Sequence, residues 1–166
     1  YFSTLEGTLH GIDAKTGLEH FSFIPGEKLA VLPALFSNPT QDTPELGMDL
    51  TWSVTRKDAD GDGTPEKIYL YGGMRMGGRN YYALDVTSRT SPKLLFALKG
   101  GTGSYSKLGQ TWSQPTVAAM RIGGNVTNVL VFGGGYDPQH EVENTVYSSD
   151  TMGDAIYIVN AETGSL

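Results

Sequence analysis

A strand-and-turn pattern that occurs three times along the chain constrains the fold most. It is found at Gly7-Thr8-Leu9-His10-Gly11-Ile12-Asp13-Ala14-Lys15-Thr16-Gly17, at Asn80-Tyr81-Tyr82-Ala83-Leu84-Asp85-Val86-Thr87, and at Ala155-Ile156-Tyr157-Ile158-Val159-Asn160-Ala161-Glu162-Thr163-Gly164. In each copy a strand-like run ends on a polar residue, Asp13, Asp85 or Asn160, that leads into a turn. Those polar residues stand roughly 70–75 positions apart, and self-similarity on that scale marks stacked or radial β modules. Independent landmarks agree. Thr51-Trp52-Ser53 returns as Thr111-Trp112-Ser113, and Tyr71-Gly72-Gly73 returns as Phe132-Gly133-Gly134, each about 60 residues on.

One module reads as four strands, placed in the middle copy at about 50–56, 67–73, 79–86 and 93–98. The expected fold class is therefore all-β, part of a quinoprotein-like β-propeller whose four-stranded blades take about 70 residues each. Residues 1–32 are the end of one blade, 50–98 a complete blade carrying an acidic loop, and 108–166 most of a third. A ring of about four to eight such blades needs more chain than this, and the sequence opens without methionine in mid-repeat. Both features predict a partial propeller cut from a longer protein, with any secretion signal outside it.

Composition narrows the function. A net charge of −6 argues against nucleic acid or an anionic membrane surface as the main partner. Without cysteine, neither a disulfide framework nor a thiolate metal site is available. No apolar stretch reaches the length of a membrane-spanning helix.

The chemistry is concentrated in Asp58-Ala59-Asp60-Gly61-Asp62-Gly63-Thr64-Pro65-Glu66. Closely spaced carboxylates repel one another, and a hard dication removes that repulsion. Counted as a calcium loop, Asp58, Asp60 and Asp62 offer side-chain oxygens, Thr64 its carbonyl, and Glu66 a direct or water-mediated oxygen, while Gly63 makes the bend. The twelfth place is Tyr69 rather than Glu, and strand-like sequence flanks the loop on both sides. The loop is thus expected between two strands, which disfavours a sensor that opens two helices. The third module turns through Arg121-Ile122-Gly123-Gly124-Asn125 at the equivalent place. The backbone can evidently make this turn without carboxylates, so the four acids at 58–66 mark an added purpose.

Other candidates read more plainly. His10, His20 and His140 show no metal spacing, and no hydrolase or zinc-protease motif is present. Asp137, Glu141, Glu143, Asp150 and Asp154, in and just after the insertion at 137–152, are candidates for a second cation site, but their irregular spacing favours a solvated loop. Asp42 and Glu45, in the Pro-rich linker at 33–49, read the same way. Residues 100–104 form a flexible glycine loop without the Lys-Ser/Thr of a phosphate cradle. Trp52 and Trp112 are expected to pack between neighbouring blades. Arg75 and Arg79 bracket a glycine-rich hairpin and could partner a carboxylate or sugar, but a solvated turn is the favoured reading. Tyr69, Tyr71, Tyr81 and Tyr82 suit strands and bury well there, although tyrosines also favour recognition surfaces.

Several stretches jointly resemble the PilC/PilY-type proteins of bacterial type IV pili, in their C-terminal propeller domain. They are the acidic loop, residues 71–87, Leu108-Gly109-Gln110-Thr111-Trp112-Ser113-Gln114-Pro115, Val131-Phe132-Gly133-Gly134-Gly135-Tyr136-Asp137 and Met152-Gly153-Asp154-Ala155-Ile156-Tyr157-Ile158-Val159. The resemblance covers roughly 50–164; residues 1–32 fit more generally as a quinoprotein-like blade strand. It implies a non-enzymatic pilus-biogenesis factor at the cell surface or pilus tip, or associated with the outer membrane. Such a factor supports pilus extension, adhesion and twitching motility. It also implies Ca2+ on Asp58, Asp60, Asp62, Thr64 and Glu66, although the last place is often Asp in that family. Implied partners are pilins or minor pilins, with a host surface ligand as a further candidate. Two other classes fit parts of the pattern: a pyrroloquinoline-quinone dehydrogenase, from the Asp13–Gly17 turn, and an integrin-like calcium-dependent ligand-binding propeller.

Overall fold

Residues 1–37, 46–141 and 149–166 are described by the computed structural model. Asp42, Glu45 and Glu143 lie outside the described residues.

Ten strands are formed among them: β1 Phe2–Ser3, β2 Leu9–Ile12, β3 Glu19–Phe23, β4 Ser53–Lys57, β5 Lys67–Gly73, β6 Asn80–Asp85, β7 Lys93–Lys99, β8 Thr116–Ile122, β9 Asn125–Gly133 and β10 Ile156–Asn160. They make three antiparallel sheets, β1-β2-β3, β4-β5-β6-β7 and β8-β9-β10, each paired in chain order. The middle strand positions read from the sequence differ from these by at most three residues. The sheets do not close on one another; what is observed is an all-β set of meanders.

Side-chain alternation explains the middle sheet. Successive residues of a strand face opposite sides, and both faces here are apolar. Tyr69, Tyr71, Tyr81 and Ala83 join one cluster with Leu50, Leu98, Leu130, Phe132, Tyr157 and Val159. Leu70, Tyr82 and Leu84 join the other with Leu9, Met48, Trp52, Met74 and Val86. Register keeps the two sets in step, with Tyr71 opposite both Ser53 and Ala83, and Leu70 opposite both Val54 and Leu84. The first cluster joins the middle and third sheets; the second joins the middle and first. Buried tyrosine hydroxyls need partners, and Tyr71 and Tyr81 find theirs on the third module, Tyr82 on Glu27 after the first sheet. Tyr71 donates to the Ala161 carbonyl at 3.0 Å and Tyr81 to the Ser113 carbonyl at 2.5 Å.

Glycine at 72 is required by packing. A Cβ there would lie 2.3 Å from the Trp52 ring, so the indole sits directly on the strand backbone. The third sheet turns through Gly123 and Gly124, at φ 57° and 86°, the left-handed pair that a two-residue hairpin demands.

Two connections depart from expectation. The linker at 33–49 opens with α1, Leu32–Ser37, whose Pro33 falls in the first turn where no amide is needed. Its far end buries Met48 completely. The glycine loop at 100–104 is pinned rather than free: Gly101 N–H donates to the Tyr105 carbonyl at 2.9 Å, and a 3-10 turn spans Gly103–Tyr105.

Candidate functional site

The acidic loop joins β4 to β5, leaving the sheet at Lys57 and re-entering at Lys67, which are paired across the strands. Two left-handed glycines bend it, Gly61 at φ 76° and Gly63 at φ 88°. The sequence reading assigned the bend to Gly63 alone; the repeated Asp-Gly pair was the signal for the second.

Carboxylates organise this loop from within. Asp58 Oδ1 accepts from Gly61 N–H at 2.8 Å, and its Oδ2 from Gly63 N–H at 2.9 Å. Asp60 Oδ1 accepts from Asp62 N–H at 3.2 Å. Glu66 Oε2 reaches back across the loop to Ala59 N–H at 2.7 Å. These bonds draw Asp58, Asp60 and Glu66 together, with one carboxylate oxygen of each within 4.8 Å of the others. Asp62 is not in that group; its Oδ1 accepts from Thr64 N–H at 2.6 Å. Thr64 thus adjoins the acids through its amide, next in the loop after Gly63.

The donor set fits a hard dication. Calcium holds oxygens at about 2.3–2.6 Å, so two oxygens on opposite sides of one ion stand about 5 Å apart. The lysines flanking the loop form their ion pairs outside it. Lys57 Nζ pairs with Glu162 at 2.9 Å, and that hydrogen bond and charge raise its pKa. Lys67 Nζ pairs with Asp85 at 3.2 Å. Three converging acids are left exposed with no ion pair to either strand-end lysine, and Lys57 reaches Glu66 only through its longer-range charge. Among the described residues, no other group of three His, Cys, Asp or Glu side chains comes this close.

Among the described residues, each histidine instead neighbours a carboxylate: His10 Nδ1 at 2.9 Å from Glu19, His20 Nε2 at 3.6 Å from Asp13, and His140 Nε2 at 2.6 Å from Asp150.

At the opposite ends of β5 and β9, three expectations are corrected. Arg75 and Arg79 are not solvated turn residues. Arg75 Nη1 donates to Asp49 at 2.8 Å while its guanidinium stacks on Trp112, and Arg79 Nε donates to the Leu108 carbonyl at 2.7 Å. Trp52 is buried between the first and middle sheets as expected, but Trp112 is 39% exposed. Asp137 is buried rather than solvated. It accepts from Gln139 N–H, from Thr151 N–H and Oγ1–H, and from Met152 N–H. Burial alone would push its carboxyl up; these hydrogen bonds outweigh burial and hold it down at about 2.

No family model matches the chain. The type IV pilus biogenesis factor PilY1 of Pseudomonas aeruginosa strain UCBPP-PA14 is 36% identical over 142 residues, covering 85% of this chain and 12% of that protein. PilY1 of strain PAK is 30% identical over 166 residues, covering all of this chain and 13% of the relative. A PilY1 homologue of Xylella fastidiosa is 30% identical over 165 residues, 97% of this chain and 10% of the relative. The crystal structure of the Pseudomonas aeruginosa PilY1 C-terminal domain superposes with a TM-score of 0.60 at 28% identity, over 98% of this chain and 27% of that one. The chain therefore spans about an eighth of the PilY1 length in the two Pseudomonas strains.

Consecutive antiparallel meanders, cross-linked by buried tyrosines and carrying one acidic turn, define a segment of a modular all-β domain. The chain belongs to the PilY1-type proteins.

Proposed function

We propose that this chain is a calcium-binding, non-enzymatic β-propeller segment of a type IV pilus biogenesis factor. One observation carries the reading: Asp58, Asp60 and Glu66 converge to within 4.8 Å at a strand-to-strand turn, and the lysines on both flanks form their ion pairs elsewhere. Asp62 and the Thr64 carbonyl complete the oxygen set when the loop closes on the ion. Meander sheets in chain order support the propeller, since the middle one has the four antiparallel strands of a blade and the other two have three strands in the same order.

The ion works by selecting one shape of the loop. Binding to the folded form alone stabilises it by about 2.7 kcal/mol at a hundredfold excess over the dissociation constant. Extracellular modules bind calcium with constants near ~10⁻⁴–10⁻³ M, so millimolar calcium outside the cell suffices even for a weak site. The ordered loop fixes one edge of the middle blade, which meets pilins or minor pilins at the cell surface or pilus tip. Pilus extension, adhesion and twitching motility follow from that assembly role.

Calorimetric titration of calcium into chelated protein tests the site, paired with thermal unfolding of Asp60→Ala. The expected result is saturable binding, with the variant less stable than the parent in calcium and equal to it in chelator. Equal losses in both buffers, or no binding heat at millimolar calcium, would remove the metal from the account.

A further inference from the structure

The opposite end of the strands carries a second site. A cavity of about 790 Å³ opens where β5 and β9 end, walled by Met76, Trp112, Tyr136 and Glu141 over a floor of glycine backbone at 133–135. The calcium loop lies at the other end of β5, about 20 Å away for a seven-residue strand. We propose that this cavity binds an alkylammonium group, the lysine side chain of a partner polypeptide.

The cavity is built into the fold. Its glycine floor is held by neighbouring backbone on both sides: Gly109 N–H donates to the Gly134 carbonyl at 2.7 Å, Gln110 and Tyr136 exchange N–H to carbonyl bonds at 2.8 and 3.0 Å, and Gly134 N–H donates to the Ala155 carbonyl at 2.6 Å. Only glycine allows that approach, since a Cβ on Gly135 would lie 2.1 Å from the Gln110 carbonyl oxygen. Outside the wall, stacked on Trp112, Arg75 stands at φ 54°, the one non-glycine residue with positive φ among those described. Thr111 Oγ1 keeps it there, accepting from Met74 N–H at 2.7 Å and Arg75 N–H at 3.0 Å. Backbone strain of this kind persists where the surroundings over-determine it, often at ligand sites. Asp137 gathers the chain at 139 and at 151–152, closing the base of the insertion that carries Glu141.

The lining selects the ligand. Glu141 is the one charged residue on the wall, exposed, with no ion pair among the described residues. Arg75 does not neutralise it, because that guanidinium is already tied to Asp49 and stacked on Trp112. Trp112 and Tyr136 meet edge to face, with ring centroids 6.5 Å apart and planes at 70°. Aromatic faces attract cations through the ring quadrupole, and the Met76 thioether packs well against a methylene stem. Apolar walls with one carboxylate match a long methylene chain ending in a cation. An anion finds no countercharge on the wall, and a sugar finds few polar partners. A bare ammonium ion leaves most of the volume empty, since cavities of ~300–1,000 Å³ suit ligands of many atoms. A peptide segment fills it.

The five methionines supply the probe. With methyl-labelled methionine, the full chain is titrated by NMR with the peptide Ac-Gly-Lys-Gly-NH2 and with its norleucine isostere, in calcium and in chelator. Saturable movement of the Met76 methyl with Met120 still, and binding of the norleucine peptide about tenfold weaker, are expected. Glu141→Gln should abolish the preference for lysine, and Trp112→Ala should weaken both peptides. Unchanged Met48 and Met120 signals will show that each variant is folded. Equal affinity for the two peptides, a preference that survives Glu141→Gln, or a Met76 methyl unmoved at ~10 mM peptide overturns the proposal. Loss of calcium binding leaves these readouts intact, so the two sites fail or stand separately.

Discussion

Arg75 places its guanidinium carbon 4.4 Å from the centroid of the Trp112 ring while donating through Nη1 to Asp49 at 2.8 Å. One side chain thereby joins three segments far apart in sequence: the end of the linker before β4, the β5–β6 turn, and the connection that leads into β8. Its backbone is held in the left-handed region by the Thr111 hydroxyl. The junction of the middle and third modules is thus fixed by side-chain chemistry at a point where no strand pairing crosses it beyond the single Arg75–Thr111 bridge.

Substitutions at Arg75 should therefore rank in an unusual order. Arg75→Ala loses the stack, worth about 0.5–1 kcal/mol at an exposed site, and keeps the left-handed strain. Arg75→Gly loses the same contacts but relieves roughly 1 kcal/mol of that strain. Urea unfolding should show Arg75→Gly more stable than Arg75→Ala, the reverse of the usual ranking of these residues. Arg75→Lys should fall below the parent despite keeping its charge, because an ammonium lacks the planar face that stacks on indole.

Gly72→Ala tests the seat of Trp52. The added methyl meets the indole at 2.3 Å, and neither group can withdraw easily from a strand buried on both faces. Overpacking of this sort costs about 1–3 kcal/mol. Denaturant unfolding should register that loss, with a shifted Trp52 emission. Gly61→Ala, at φ 76° with open space around it, should instead cost only about 1 kcal/mol of backbone strain.

Asp137 predicts a pH dependence. Its carboxyl titrates at about 2 in the fold against an ordinary value of 3.8. A depressed carboxylate pKa stabilises the folded state above the unfolded value, and that contribution is lost as pH falls through the folded one. The stability difference between the parent and Asp137→Asn should be constant above about pH 5 and shrink between about pH 4 and 2. Urea unfolding at stepped pH measures it. A difference that stays constant down to pH 2 would contradict the hydrogen-bonded carboxylate.

Much of the middle module was legible because local pattern and packing agree there. In Tyr81-Tyr82-Ala83-Leu84 every residue is buried, so a short unbroken apolar run with glycines nearby could only be a strand covered on both faces. The two tryptophans show where the repeat misleads. Trp112 Nε1 donates to Gln110 Oε1 at 3.1 Å and its ring stays partly open. Trp52 has Leu50 at the corresponding place, and its buried Nε1 has no partner among the described residues. The same Thr-Trp-Ser motif was read as one environment, and the residue two positions earlier makes it two. Asp137 escaped for a different reason. Most of its donors come from Thr151 and Met152, and spacing within an insertion carries no trace of a contact made across it.

The acidic loop shows the same limit at close range, and it yields the sharpest prediction. Spacing alone gave Asp58, Asp60 and Asp62 equal standing, because alternate residues in a calcium loop all present oxygens inward. The loop distinguishes them: Asp58 is drawn in by two glycine amides and Glu66 by the Ala59 amide, whereas Asp62 caps Thr64 outside the converging group. Removing a converging acid should cost both charge and geometry; removing Asp62 should cost mainly charge. Calcium titrations should therefore rank Asp58→Asn, Asp60→Asn and Glu66→Gln together as the weak binders, at least ~10-fold below the parent. Asp62→Asn should lose several-fold less, since an amide oxygen can still accept from Thr64. Should Asp62→Asn prove the most damaging of the four, the ion would have to reorganise the loop around Asp62, and the preformed triad would not be its seat.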